Sequence, residues 1–319
     1  MHILTLTAGT LMAFAGTTCA QTNSVPATAA PSAPATDISQ IPGAHITKTK
    51  DVITGLSIDD CKALTEADFK LIRQTETLTS IGLNRGLTDA QLKILAGMPA
   101  IEAFGTNGAG VSDDAIASTL STFKNLQSLT FFHPGPTFTG TGLAALSVLP
   151  NLNNLTVAGA TTFGDPCMVA VGQLSHLTSF RTWHGGVTLA GIKALTSLKV
   201  LNNLTIGQKL GNKPPPTIND DAVEVLATIS SLQSLNLQQA RLSLAALSKL
   251  SQIPNLKNLT LAEVDIPESD INTLKQQLPK TQIKWTAPSP ASQKWIDNIF
   301  GPAVAAGTPG TPSPTDATK

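Results

Sequence analysis

Residues 152–157 read Leu-Asn-Asn-Leu-Thr-Val, and the phrase returns at 201–206 as Leu-Asn-Asn-Leu-Thr-Ile and at 256–261 as Leu-Lys-Asn-Leu-Thr-Leu. Its pattern is apolar-x-x-apolar-x-apolar. The last two apolar positions are two apart, so they point to one side of a pleated strand while the residues between and beside them point to the other. Looser copies fill the chain: Ile53/Leu56/Ile58, Leu78/Ile81/Leu83, Ile101/Phe104/Thr106, Leu126/Leu129/Phe131, Leu177/Phe180/Thr182 and Leu232/Leu235/Leu237. Taken in chain order, the first positions of all nine are separated by 25, 23, 25, 26, 25, 24, 31 and 24 residues. One such strand cannot bury its apolar side alone, whereas a stack of equivalent strands about 4.8 Å apart builds a continuous core.

Between phrases lie helical stretches with apolar residues at i, i+3 and i+4, such as Asp89–Leu95, Leu143–Leu149, Ala222–Leu226 and Leu244–Leu250. Each returns the chain to the next strand, and such crossovers are right-handed in nearly all cases. A phrase of this form at this period resembles the leucine-rich-repeat family, in its helix-backed branch. The resemblance implies an α/β fold: a right-handed solenoid with a parallel sheet on the concave side and helices on the convex side. The expected division is an export signal at 1–20, a Thr/Ala/Pro-rich linker at 21–45, a solenoid of about nine repeats plus cap at 46–286, and a short helix with a disordered Gly/Pro/Thr-rich tail at 287–319.

The signal rests on the short apolar stretch Ile3–Gly16 and the small residues Thr18-Cys19-Ala20 before Gln21. It places the mature chain in a periplasm, on a cell surface or outside the cell. No later stretch reaches 18 apolar residues, so no transmembrane helix is expected in the mature chain. The 21 basic residues balance 21 acidic ones and no basic run exists, which speaks against nucleic acid as a partner. Near the far end, Ile283/Trp285 reads as a last strand. Ser292–Phe300 reads as a capping helix with Trp295, Ile299 and Phe300 on one side.

Several patterns invite a chemical reading. Cys61 and Cys167 remain after signal removal, but they sit four repeats apart, about 19 Å by strand spacing, against the roughly 7 Å a disulfide spans. They are expected as unpaired buried thiols, and their places near helix starts raise the question of a lowered pKa. The pairs Asp59-Asp60, Asp113-Asp114 and Asp220-Asp221 recur between strand and helix, as capping requires and a single two-carboxylate active site does not. Gly105-x-x-Gly108-x-Gly110 lacks the order and the lysine of phosphate-binding loops. His133 and His184 are two repeats apart, about 10 Å, too far to share one ion. No catalytic set, cofactor loop or metal cluster emerges, so neither an enzyme nor a cofactor is expected.

The register assigns three columns to the concave side, and most of their residues are small and uncharged. The exceptions gather around Phe132 in the fourth repeat and Arg181 and Trp183 in the sixth, with His133 and His184 beside them. Aromatic and arginine side chains are the usual anchors of interfaces. These five residues are the candidate ligand-binding site. Packing of Trp183 over uneven turns near Phe163 and Gly185-Gly186 is the competing account. The resemblance implies a non-catalytic module that binds a protein or peptide, and a monomer is expected. A glycan is a further ligand class that aromatic faces suit, and a structural or surface-display spacer is the alternative role. Lys209–Thr217, behind the 31-residue spacing, is a long insertion of the kind that serves binding in solenoids.

Overall fold

The computed structural model describes residues 37–159, 162–209 and 214–302. The expected signal, most of the expected linker and the tail beyond 302 lie outside the described residues.

Eleven strands form one sheet whose spatial order is the chain order. They are β1 (Ala44–Thr49), β2 (Val52–Ile58), β3 (Ser80–Leu83), β4 (Ala103–Asn107), β5 (Ser128–Phe132), β6 (Asn154–Ala158), β7 (Ser179–Trp183), β8 (Asn203–Gly207), β9 (Ser234–Gln238), β10 (Asn258–Ala262) and β11 (Gln282–Trp285). Every pair from β2 onward is parallel, as the crossover connections demand. The fourth positions of the phrase stand opposite one another without a slip. The line runs Leu56, Ile81, Phe104, Leu129, Leu155, Phe180, Leu204, Leu235, Leu259 and on to Ile283. A one-residue slip would turn this whole line outward, so the apolar core itself fixes the register.

Helices α1 (Glu66–Gln74), α2 (Asp89–Ile94), α3 (Asp113–Leu120), α4 (Asp165–Val171), α5 (Leu189–Ala194), α6 (Asp220–Leu226), α7 (Leu244–Ser248) and α8 (Glu268–Gln277) make the second layer, and α9 (Pro290–Phe300) follows β11. A 3-10 helix, Thr141–Val148, replaces the α-helix between β5 and β6. Its cap residue Gly140 has no side chain to hold the first turn, and Asp113 supplies the missing acceptor from the previous repeat.

That service is general. Asp89, the first residue of α2, accepts from the backbone N–H of Ser112 at 2.7 Å and from its hydroxyl at 2.6 Å. Asp165 does the same for Thr188 at 2.8 and 2.6 Å, and Asp220 accepts from the Ser243 N–H at 2.9 Å. Asp113 accepts from the N–H groups of Thr139, Gly140 and Gly142 and from the Thr139 hydroxyl, at 2.7–3.0 Å. Ser112, Asn219 and Thr88 cap their own helices, as expected. The aspartates do something different: each stitches its repeat to the next. Asp59-Asp60 does not cap a helix: α1 is capped by Thr65, Asp59 meets His45 at 3.0 Å, and Asp60 accepts from the Lys62 backbone N–H at 2.9 Å.

The two ends also differ from expectation. The boundary drawn at 45/46 falls inside β1, which pairs antiparallel with β2 across the turn Lys50-Asp51, both residues in left-handed conformation. Ahead of it, Ile38 and Ile41 are buried against the first repeat. At the far end β11 continues the sheet, and the Trp285 indole N–H donates to the Val264 carbonyl at 2.8 Å. In α9 the buried residues are Ile296 and Ile299, with Trp295 and Phe300 only partly covered. The helix is anchored by Arg241, which pairs with Asp297 at 2.6 Å and with Asp265 at 2.7 Å and donates to the Gly301 carbonyl.

Candidate functional site

The sheet face turned away from the helices is lined by the first, third and fifth residues of the five-residue strands β4 to β10. Phe132 ends β5, Ala158 ends β6 and Trp183 ends β7, and the pairing sets the three side by side. With alanine between them, the two rings lean together over it. Their centroids are 5.8 Å apart with planes tilted by 49°, and Ala158 beneath them is fully buried. Such tilted pairs contribute about 0.5–1.5 kcal/mol beyond the area they cover. Both rings keep part of their surface exposed.

Room for this arrangement comes from two glycines. A methyl group on Gly207, the residue next to Trp183 on β8, would lie 2.5 Å from the Trp183 Cβ. One on Gly159 would lie 2.5 Å from the imidazole of His133. Gly159, φ +85°, also needs the left-handed conformation that glycine adopts without cost.

His133 and His184 occupy that same left-handed position just past their strands, at φ 43° and 63°. The turn demands a backbone that non-glycine residues adopt reluctantly, so strand geometry rather than metal geometry places both rings. His133 Nδ1 lies 3.1 Å from the Asn107 side-chain oxygen. The His184 N–H donates to the Gln208 carbonyl at 2.9 Å. Burial and the neighbouring His133 hold the His184 pKa below its ordinary value, against an opposing hydrogen bond from Gln239. Among the described residues no three His, Cys, Asp or Glu side chains gather in a metal-binding cluster.

Arg181 lies two residues before Trp183 on the same face of β7 and is exposed. Its strand neighbours are Thr156 and Thr205. Gln208 guards the neck of the insertion that begins beside this site. It is fully buried, and its amide accepts from the Thr217 N–H and donates to the Ile218 carbonyl, both at 2.7 Å. Residues 210–213 of the insertion lie outside the described residues.

The structure thus joins Phe132 to Trp183, sets His133 near enough to His184 to affect its titration, and leaves Arg181 open on the same face. Ala158, Gly159, Gly207 and Gln208 were not singled out in the sequence. A small residue opposite two large ones across three registered strands is the signal that points to the first three.

Cys61 and Cys167 are unpaired and buried. Burial, with Asp60 and Asp113 nearby respectively, pushes the Cys61 and Cys167 thiols up to about 12. The thiol pKa is raised, opposite to what a reactive cysteine at a helix start requires.

What decides the architecture is the register: strands β2 to β10 each carry the same phrase, each is followed by a helical return, and each pairs in parallel with the next. The fold is a leucine-rich-repeat solenoid. No family model matches the chain, and no curated protein matches it. Solved leucine-rich-repeat structures similar to it include internalin C2 of Listeria monocytogenes, 18% identical over 70% of this chain and 84% of that one, with a TM-score of 0.41. A second internalin of that organism, InlF, is 17% identical over 73% and 72% with a TM-score of 0.43. The Rad7 and Elc1 complex of yeast is 16% identical over 74% and 70% with a TM-score of 0.45. Among the described residues of the solenoid, no helix is long and apolar enough to cross a membrane.

Proposed function

We propose that this leucine-rich-repeat chain is an exported, non-catalytic recognition module that binds a protein or peptide through the outer face of its sheet. The observation that carries the reading is the Phe132–Trp183 pair, part-exposed on a face that, Arg181 apart, is made of neutral and mostly small residues. Aromatic and arginine side chains concentrate binding energy where they stand on a rigid scaffold, and here the scaffold is a sheet held on both sides of the site. His133, Arg181 and His184 complete the surface. Export is supported by the apolar stretch and small residues at the start of the sequence.

The full chain and a variant with Phe132, Arg181 and Trp183 all replaced by alanine, matched for folding by circular dichroism, would be used as affinity baits. A partner retained by the first and lost by the second is expected. Identical retention by both moves recognition away from this face, and no partner for either supports the spacer role.

A further inference from the structure

Resting on that reading, we infer that the face around Arg181 and Trp183 takes an extended acidic peptide segment, its carboxylate on Arg181 and a bulky apolar side chain two residues away on the Phe132–Trp183 pair.

The argument starts from charge. Along the outward-facing strand positions from β3 to β10, arginine at 181 is the only charged residue; the rest are Ser, Thr, Asn, Gln, Gly, Ala and the two aromatics. Among the described residues no carboxylate lies within ion-pairing distance of it. Arg241 shows what this chain does with a structural guanidinium: two aspartates, a backbone carbonyl and partial burial. Arg181 has none of these. Its neighbours on the adjacent strands are threonines, whose hydroxyls compete weakly for it and carry no charge. A lone cation on a neutral rigid face is complementary to an anion, and guanidinium is the group that meets carboxylates in paired hydrogen bonds.

The spacing then selects the shape of the anion's carrier. Arg181 and Trp183 point from one face of one strand, two residues apart, roughly 7 Å by the rise of a strand. Side chains two apart in an extended peptide have the same separation, so an acid and an apolar residue at i and i+2 meet both anchors together. A carboxylated sugar offers the charge but fits the rings poorly. Planes tilted by 49° over a buried alanine do not form the flat platform on which a pyranose ring stacks.

The full chain would be titrated with labelled synthetic octapeptides containing Asp-x-Leu, Asn-x-Leu or Lys-x-Leu, and with a labelled oligogalacturonate. Arg181→Gln, Arg181→Glu and Trp183→Ala, each checked by circular dichroism, serve as comparisons. Expected is a preference of roughly tenfold or more for Asp-x-Leu over Asn-x-Leu, the size of one charge-assisted hydrogen bond in affinity. The preference should vanish in Arg181→Gln and turn toward Lys-x-Leu in Arg181→Glu, while Trp183→Ala weakens all three peptides. Equal binding of the Asp and Asn peptides overturns the acidic partner and leaves peptide recognition standing. Peptide binding no stronger than in Trp183→Ala overturns both. Tighter binding of the oligogalacturonate overturns the peptide in favour of a glycan.

Discussion

The rings of Phe132 and Trp183 meet at 5.8 Å although the strands that carry them are not neighbours. The alanine of the strand between them makes that possible, and the glycine beyond Trp183 leaves room for the indole. Gly207→Ala should therefore push Trp183 off Ala158. The expected result is altered intrinsic fluorescence and a loss of partner binding approaching that of Trp183→Ala. Trp183→Ala itself should cost about 1–2 kcal/mol in urea unfolding, below the 3–5 of a fully buried tryptophan because the ring is part-exposed.

Asp113 joins two repeats through four accepted hydrogen bonds, whereas Asp114 beside it is exposed. Asp113→Ala should lower unfolding stability by about 2–3 kcal/mol, since three backbone N–H groups lose a charged acceptor. Asp114→Ala should stay within about 0.5 kcal/mol. Equal effects would mean that the acidic pair acts only through the helix dipole.

That contrast also shows what the sequence could and could not disclose. Strand positions, parallel register and the run of buried leucines were legible because the side-chain period of a strand is two and every repeat restates it. The inter-repeat role of Asp89, Asp113, Asp165 and Asp220 was not, because a carboxylate at a helix start satisfies its own helix and the next one with the same residue type. The hairpin β1–β2 escaped because Lys50-Asp51 carries no glycine or asparagine to mark a turn. In α9, Ile296 and Trp295 are adjacent and either suits an apolar stripe; only the direction from which the helix lands decides between them. At the candidate site the large residues were visible, while the small ones that seat them were not, since an alanine announces nothing until its neighbours are known.

His184 titrates below its ordinary value because it is half-buried and faces His133. On acidification the unfolded chain therefore takes up its proton first. The contribution of this residue is intact above about pH 6.5 and is lost as pH falls from there toward the depressed native value. Unfolding midpoints measured from pH 7.5 to 5 should decline over that window, and His184→Gln should decline less.

Both thiols lie in the core with pKa values pushed up to about 12. In a chain starting at Gln21, which lacks Cys19, neither should react with iodoacetamide in the native protein at pH 8, and both should react at once in guanidinium, adding two adducts by mass spectrometry. Fast labelling of either thiol without denaturant would show that its repeat opens locally.

Arg241 reaches Asp297 and the Gly301 carbonyl, 56 and 60 residues further along, in a chain whose remaining side-chain hydrogen bonds among the described residues span 30 residues or fewer. Arg241→Ala should release α9, read as new protease cleavage between 286 and 300 with the β-sheet signal kept. The consequence reaches past that helix. A row of repeats in contact only with their neighbours melts like a zipper, one unit at a time from whichever end is loose. Here the first unit is folded back on itself by an antiparallel hairpin, and the last is buckled across its predecessors by one guanidinium. With neither end free to fray, the row has no inexpensive first step, and loss of order is expected to spread as a single cooperative event rather than as a procession.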